Sequence, residues 1–156
     1  MTKVEIREAR AEDVDDLFAL FALIVAEGGA FPTEPPASHE DFESAWWRKS
    51  AVIVAHSESH LAGSYYLNPN YGGRARHIAN AGYMVQKEFR GRGIGRALVA
   101  HSIDEARRLG FDALMFNLVF ESNPARRLYE RLGFEEVGRV PEAVGGEDAI
   151  VYWRRL

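Results

Sequence analysis

Val85-Gln86-Lys87-Glu88-Phe89-Arg90-Gly91-Arg92-Gly93-Ile94-Gly95-Arg96-Ala97-Leu98 joins three pieces of chain: the end of an apolar strand, a loop alternating glycine with arginine, and the start of an amphipathic helix. Glycine lets backbone N–H groups turn towards an anion and approach it closely. The first turn of the helix adds N–H groups with no partner inside the helix, and the positive end of its dipole. Arg90, Arg92 and Arg96 set guanidinium charge beside them. The chemistry is that of a pyrophosphate cradle, formed by Arg90, Gly91, Arg92, Gly93, Ile94, Gly95 and Arg96.

The cradle is not of the commonest kinds. A Walker-type loop needs Gly-Lys followed by Ser or Thr, which is lacking here. The dinucleotide pattern G-x-G-x-x-G fails in both registers, because position 96 is arginine and position 98 is leucine. Arg90-x-x-Gly93-x-Gly95 remains, and it resembles the acyl-CoA pyrophosphate loop of the GNAT family of N-acetyltransferases.

A second constellation follows: Glu121-Ser122-Asn123-Pro124-Ala125-Arg126-Arg127-Leu128-Tyr129-Glu130-Arg131-Leu132-Gly133-Phe134. Asn123 before Pro124 predicts a helix start, with asparagine as cap and proline in the first turn. Gly133 predicts its end. This segment resembles the second GNAT signature, in which an asparagine precedes a helix carrying Leu-Tyr and ending in Leu-Gly-Phe. The resemblance implies that Asn123 contacts the pantetheine arm of acetyl-CoA and that the Tyr129 hydroxyl lies near the thioester sulfur, as acid for the leaving thiol. The spacing from asparagine to tyrosine is one residue shorter than usual, and serine stands at the usual position, 122.

Working outward, Lys3–Glu8 alternates in polarity and predicts a strand. Asp13–Glu27 predicts a helix ended by Gly28-Gly29. The segment 28–37, with three prolines and two glycines, predicts a loop. Ser38–Arg48 predicts a helix capped by Ser38, with Asp41 at its third position. Ala51–His56 and Leu61–Leu67 predict a hairpin around Ser57-Glu58-Ser59. Beyond a turn-rich loop, Ile78–Gln86 predicts a strand, Ile94–Leu109 a helix, Ala113–Val119 a strand and Pro124–Leu132 a helix. Glu135–Val140 and Ala149–Arg154 predict the last two strands. Strands separated by helices imply at least one parallel pair. The resulting fold class is α/β (α+β), one domain over 1–156. The GNAT resemblance implies a mixed central sheet of about six to seven strands flanked by about four helices, splayed at the cofactor-binding strands.

Bulk properties bound the function. The chain has 156 residues, 47% of them hydrophobic and 27% charged, with a net charge of −4. That balance fits a small globular enzyme and argues against a general nucleic-acid binder. Cysteine is absent, which excludes disulfides and a cysteine acyl-enzyme. Acidic and basic residues precede any apolar run, so the start is not read as a signal peptide. The apolar run Leu17–Ala26 is about half the length that spans a bilayer. A cytoplasmic protein without membrane contact is expected, and a homodimer stays open because relatives often pair. His56 and His60 flank a turn rather than sharing a helix face, so no metal is expected.

The resemblance also implies the chemistry. Met84 and Val85, at the strand end, would hold the thioester, with a backbone N–H near Val85 polarising its carbonyl. The acceptor amine must arrive as a free base. Glu121, His77 or a water relay could take its proton. Asn80 and Asn117 are lone amides in apolar strands. Unpaired backbone at the splay could hold them, or both could bind the acceptor's carboxylate or amide. Their surroundings, Asn80-Ala81-Gly82-Tyr83 and Phe116-Asn117-Leu118-Val119-Phe120, with Gly138-Arg139-Val140-Pro141, are similar to those of GNAT enzymes that acetylate azetidine-2-carboxylate. Phe31 and Glu34 are expected in the acceptor wall, with Trp46, Trp47, Tyr65 and Tyr66 as further candidates. Glu34 and the run Glu40–Glu43 leave a polycationic acceptor open. The expected activity is acetyl transfer from acetyl-CoA, as co-substrate, to a small-molecule amine. The alternatives are a protein N-terminal or lysine acetyltransferase, and a non-catalytic CoA-binding sensor module.

Overall fold

The computed structural model describes residues 3–156. Seven strands form a single sheet in the order β1-β2-β3-β4-β5-β7-β6: β1 (Val4–Glu8), β2 (Ala51–Ser57), β3 (His60–Pro69), β4 (Ile78–Val85), β5 (Ala113–Phe120), β6 (Glu135–Val144) and β7 (Glu147–Arg155). Every neighbouring pair is antiparallel except β4 with β5. Among the described residues, four α-helices cover it: α1 (Val14–Glu27), α2 (His39–Phe42), α3 (Ile94–Arg108) and α4 (Arg126–Arg131). Among the described residues, no helix is long and apolar enough to cross a membrane.

The helices divide between the two faces. In α1, Leu17, Leu20, Phe21, Ile24 and Val25 recur at helical spacing. They pack with Phe42, Trp46, Val52, Val54 and Met84 in one core layer. In α3, Ile94, Leu98, Val99, Ile103 and Ala106 pack with Ala79, Ala81, Leu114, Phe116 and Tyr129 in the other. The close seat of α3 requires Gly63, where a Cβ would lie 2.6 Å from the Met84 carbonyl oxygen and 2.9 Å from Leu98 Cδ1.

The feature that positions the site is a split between β4 and β5. They pair only at Ile78↔Ala113, Ala79↔Leu114 and Asn80↔Met115. Beyond that, β4 keeps β3 and β5 keeps β7. The register brackets which backbone groups face the gap. The Asn70 N–H donates to the Ile78 carbonyl, and the Gln86 N–H donates to the Ala62 carbonyl, both at 2.8 Å. Strand alternation therefore turns the even-numbered residues of β4 towards β3. The N–H and C=O groups of Tyr83 and Val85, beyond the last pair Asn80↔Met115, face the split, where no strand answers them.

Several expectations need adjustment. The helix expected over Ser38–Arg48 divides into α2 and a wider π-helical turn, Glu43–Trp47. Its cap is as expected, with Ser38 and Asp41 exchanging side-chain to backbone hydrogen bonds. The wider turn buries Trp46, whose indole N–H donates to Ser64 Oγ at 3.1 Å. The helix expected from Pro124 starts at Arg126. Asn123 Oδ1 accepts the Ala125 N–H at 2.9 Å, and this local turn occupies the residues before the helix. The strand expected over Glu135–Val140 continues to Val144, and its partner starts at Glu147.

Candidate active site

Two clefts open at the split and meet there. The larger, about 480 Å³, runs between the end of β4, the start of α3, the end of α1 and α4. Met84, Val85, Arg90, Gly91, Gly95, Asn123 and Tyr129, all named as site candidates from the sequence, line it. Ile24, Glu27, Ala30, Val99 and Leu128 complete its walls, and no sequence motif marks them. The smaller, about 290 Å³, is lined by Phe31, Tyr66, Asn80, Gly82, Phe116, Asn117 and their neighbours. Ala30, Tyr83, Asn123 and Tyr129 belong to both.

The glycine-arginine loop is shaped as a cradle. Gly91 and Gly93 have φ of 75° and 82°, in the left-handed region that favours glycine. Gly93 precedes α3, so the N–H groups of the first turn point out of the helix at the large cleft's end. Gly95 opens to this cleft: a Cβ there would meet only Val85 Cγ2 at 3.8 Å and Leu128 Cδ2 at 3.9 Å. Free N–H groups, a bare glycine and a long wall of apolar side chains fit a diphosphate joined to an extended chain.

The arginines divide their work differently from the expectation that all three face an anion. Arg90 Nε donates to the Val85 carbonyl at 3.2 Å, and its two terminal nitrogens donate to both Glu27 carboxylate oxygens at 2.8 Å. The Arg90 hydrogen bonds hold the Glu27 carboxyl below its ordinary pKa. Arg90 is thus a brace between the cradle, β4 and α1. Arg92 lies over the Phe89 ring, 5.3 Å from its centre, and neither it nor Arg96 lines the cleft. Ile94 is buried and anchors the start of α3 in the core.

The two tyrosines at the junction differ in chemistry. The Ser102 hydroxyl donates to the Val99 carbonyl at 2.7 Å, so the Tyr83 hydroxyl donates to Ser102 Oγ, also at 2.7 Å. Its proton is pinned away from the clefts. The Tyr129 hydroxyl has no such partner among the described residues, and its ring is held by Phe116, 4.7 Å between centres, and by Phe134 and Tyr152. Burial pushes both phenols above their ordinary pKa, so both are protonated at neutral pH.

In the small cleft, Gly82 is needed because the Tyr66 ring crosses it: a Cβ would sit 2.6 Å from Tyr66 Cε1. Asn117 occupies a bulge, where Phe116↔Tyr152 and Val119↔Ile150 leave an extra residue on β5. Phe31 stacks on Phe21 and tilts against Trp46. Among the described residues, none that walls this cleft is acidic or a histidine.

Other expected site residues lie elsewhere. Glu121 is half-exposed outside both clefts and pairs with Arg139 at 2.9 Å, while Arg126 bonds its backbone carbonyl instead of its carboxylate. His77 is exposed at the paired end of β4, with Nδ1 3.1 Å from the Arg74 carbonyl oxygen. Glu34 is exposed and walls neither cleft. Of the aromatic candidates, Tyr66 is a wall, Trp46 packs edge-on behind it at 4.9 Å, Trp47 packs on Phe42, and Tyr65 meets His101 on the opposite face.

Comparison with known proteins bears on this arrangement. The model of the acetyltransferase (GNAT) family matches residues 17–134. N-acetyltransferase aca1 of Schizosaccharomyces pombe is 34% identical over 156 residues, covering 96% of this chain and 69% of its own. A GCN5-related N-acetyltransferase structure from Kribbella flavida superposes with a TM-score of 0.91 at 35% identity, covering 98% of each chain. A phosphinothricin acetyltransferase from Sinorhizobium meliloti, solved with acetyl-CoA, shares the fold at a TM-score of 0.88 and 22% identity, covering 98% of this chain and 88% of its own.

Proposed function

The chain belongs to the GNAT family of acetyltransferases, and from that membership we propose that it moves the acetyl group of acetyl-CoA to the amine of a small molecule, an amino acid or a proline-like cyclic amine, by direct attack in a ternary complex. The observation that carries this reading is the meeting of two clefts at the β4–β5 split. One suits a diphosphate with a long arm. The other is small, uncharged, and walled by amides and aromatic rings. A long basic peptide would find no acidic partner on the wall of the small cleft.

Acetyl-CoA supplies an acetyl group on a thiol that leaves readily. The cradle N–H groups at Gly93–Arg96 hold the diphosphate, with Arg90 bracing the loop through Glu27 and Val85. Asn123, with its Oδ1 engaged by Ala125, keeps its amide N–H₂ group for the pantetheine arm. The Val85 N–H faces the split and donates to the acetyl carbonyl as negative charge builds there. Asn80 and Asn117 receive the acceptor's carboxylate or amide from the small cleft. Holding both reactants at one junction contributes through proximity, worth several kcal/mol at about 3 Å approach.

The amine nitrogen then bonds to the acetyl carbon, and the carbon–sulfur bond breaks. The Tyr129 hydroxyl, kept protonated by burial, donates to the departing sulfur and regains its proton from solvent. The acceptor nitrogen loses its proton to water at the mouth of the small cleft, since no acid or imidazole walls it. Glu121, engaged by Arg139, is given no part in the transfer.

The test is thiol release from acetyl-CoA with azetidine-2-carboxylate, proteinogenic amino acids, polyamines, aminoglycosides and short peptides as acceptors. Turnover confined to small amino acids or cyclic amines, with kcat about 100-fold lower in Tyr129→Phe and little change in either KM, is the expected result. Turnover on peptides alone would replace the small-molecule reading. Tight CoA binding with no turnover on any class would favour a sensor module.

A further inference from the structure

Asn117 enters the small cleft with a partner that neither sequence signature contains. Asn70 is the first residue beyond β3, 47 positions earlier in the chain. Its backbone is fixed by the N–H it donates to the Ile78 carbonyl at 2.8 Å. Its side chain and that of Asn117 exchange two hydrogen bonds. Asn70 Nδ2 donates to Asn117 Oδ1 at 2.9 Å, and Asn117 Nδ2 donates to Asn70 Oδ1 at 2.6 Å. Turning either amide over alone would set oxygen against oxygen and N–H against N–H. Turning both over together restores the two bonds, so the reciprocal pair fixes the plane of the Asn117 amide and ties its sense to that of Asn70. It also consumes one of that amide's two N–H donors and one of its two lone pairs. One donor and one lone pair are left for a ligand.

The bulge makes this fixing necessary. Beyond Phe116, β5 leaves its regular ladder with β7, so the strand alone does not set the direction of the Asn117 side chain. We propose that Asn70 is a positioning residue for acceptor recognition: it holds the plane of the Asn117 amide so that its remaining N–H meets an oxygen of the acceptor, a carboxylate or an amide. Asn70 itself does not wall the cleft, and it acts only through Asn117. A second tie from the same loop, the Tyr71 hydroxyl donating to Met115 Sδ at 3.7 Å, keeps the loop on β5 when the Asn70 amide is removed.

This inference rests on the small cleft being the acceptor site, and the experiment separates the two. Initial rates are measured for wild type, Asn70→Ala, Asn117→Ala and the double variant. The acceptor is azetidine-2-carboxylate or, if another amine of the panel has a higher kcat/KM, that amine. Thermal midpoints are measured in parallel. Asn70→Ala is expected to raise the acceptor KM about 3- to 10-fold, the range of one lost hydrogen bond, leaving kcat and the acetyl-CoA KM within about twofold. In the Asn117→Ala background the Asn70→Ala change should add nothing. If Asn117→Ala raises the acceptor KM while Asn70→Ala does not, or the two effects simply add, the positioning role is overturned and the acceptor site stands. If Asn117→Ala leaves the acceptor KM unchanged, the acceptor site is misassigned and the positioning role falls with it. A loss spread equally over kcat, both KM values and the thermal midpoint would mark Asn70 as merely structural and overturn the proposal.

Discussion

At the residue scale, the small cleft's chemistry turns on what is missing from its wall. Tyr129 is held protonated by burial, Tyr83 is tied to Ser102, and among the described residues no carboxylate or imidazole walls the small cleft. With the acceptor in this cleft, as proposed, the proton that limits the reaction at low pH is the acceptor's own. The acceptor kcat/KM should rise with pH and level off near the pKa of the acceptor amine. Exchanging the acceptor for one whose amine titrates lower should move that limb down by the same interval. A limb fixed in pH across acceptors would place a protein base in the cleft. Tyr129 is legible in the sequence because Leu-Tyr and Leu-Gly-Phe surround it at fixed spacing. The position of Glu121 at the end of β5 is also legible, but its commitment to Arg139 is not. That pairing depends on β7 lying between β5 and β6, a strand order that local sequence does not encode.

At the element scale, the account depends on the turn from β4 into α3. The glycine pattern alone predicts a cradle there, and the positive φ of Gly91 and Gly93 agrees with that prediction. Gly95 provides the sharper test, because its surroundings accept a methyl group without clash and the space such a methyl would enter is the cleft. Gly95→Ala should therefore raise the acetyl-CoA KM at least about tenfold, while helix propensity raises stability by up to about 1 kcal/mol. Parallel measurement of initial rates and thermal unfolding checks both parts; an unchanged acetyl-CoA KM would remove the cradle from the first turn of α3. The Glu27–Arg90 brace was beyond sequence reading. Its partners stand 63 positions apart; Glu27 alone reads as an ordinary exposed charge, and Arg90 reads as a cradle residue facing an anion. The divided helix at 38–47 was equally hidden, since a capping box marks where a helix starts and says nothing of a π-helical turn five residues on.

At the scale of the whole molecule, the split sheet must stay rigid at its paired ends for the clefts to keep their shape. On the β1 side, Arg7 donates to both Asp13 oxygens at 2.8 and 3.0 Å, and the Arg10 N–H adds a third bond at 2.7 Å, pinning the start of α1 to the sheet. The Arg7 hydrogen bond is the largest cause of the lowered Asp13 pKa. A carboxyl whose folded pKa is depressed adds stability above its unfolded value near 3.8 and loses it as pH falls through the folded value. Asp13→Asn should thus lower the thermal midpoint at neutral pH and flatten its decline below about pH 4. A decline as steep as wild type would assign the acid sensitivity to other groups. Strand and helix order was largely readable from periodicity and glycine punctuation. The depth of the split was not, because Ala81–Val85 reads as an ordinary strand and only its missing partner makes it a site.

The claim on which everything else depends is that both reactants are held at once, one in each cleft, with Tyr129 between them. A matrix of initial rates over acetyl-CoA and acceptor concentrations tests it directly. Intersecting double-reciprocal lines are the predicted result, since both substrates must be bound before the acetyl group moves. Parallel lines, the signature of an acetylated enzyme formed and released in turn, would contradict the account.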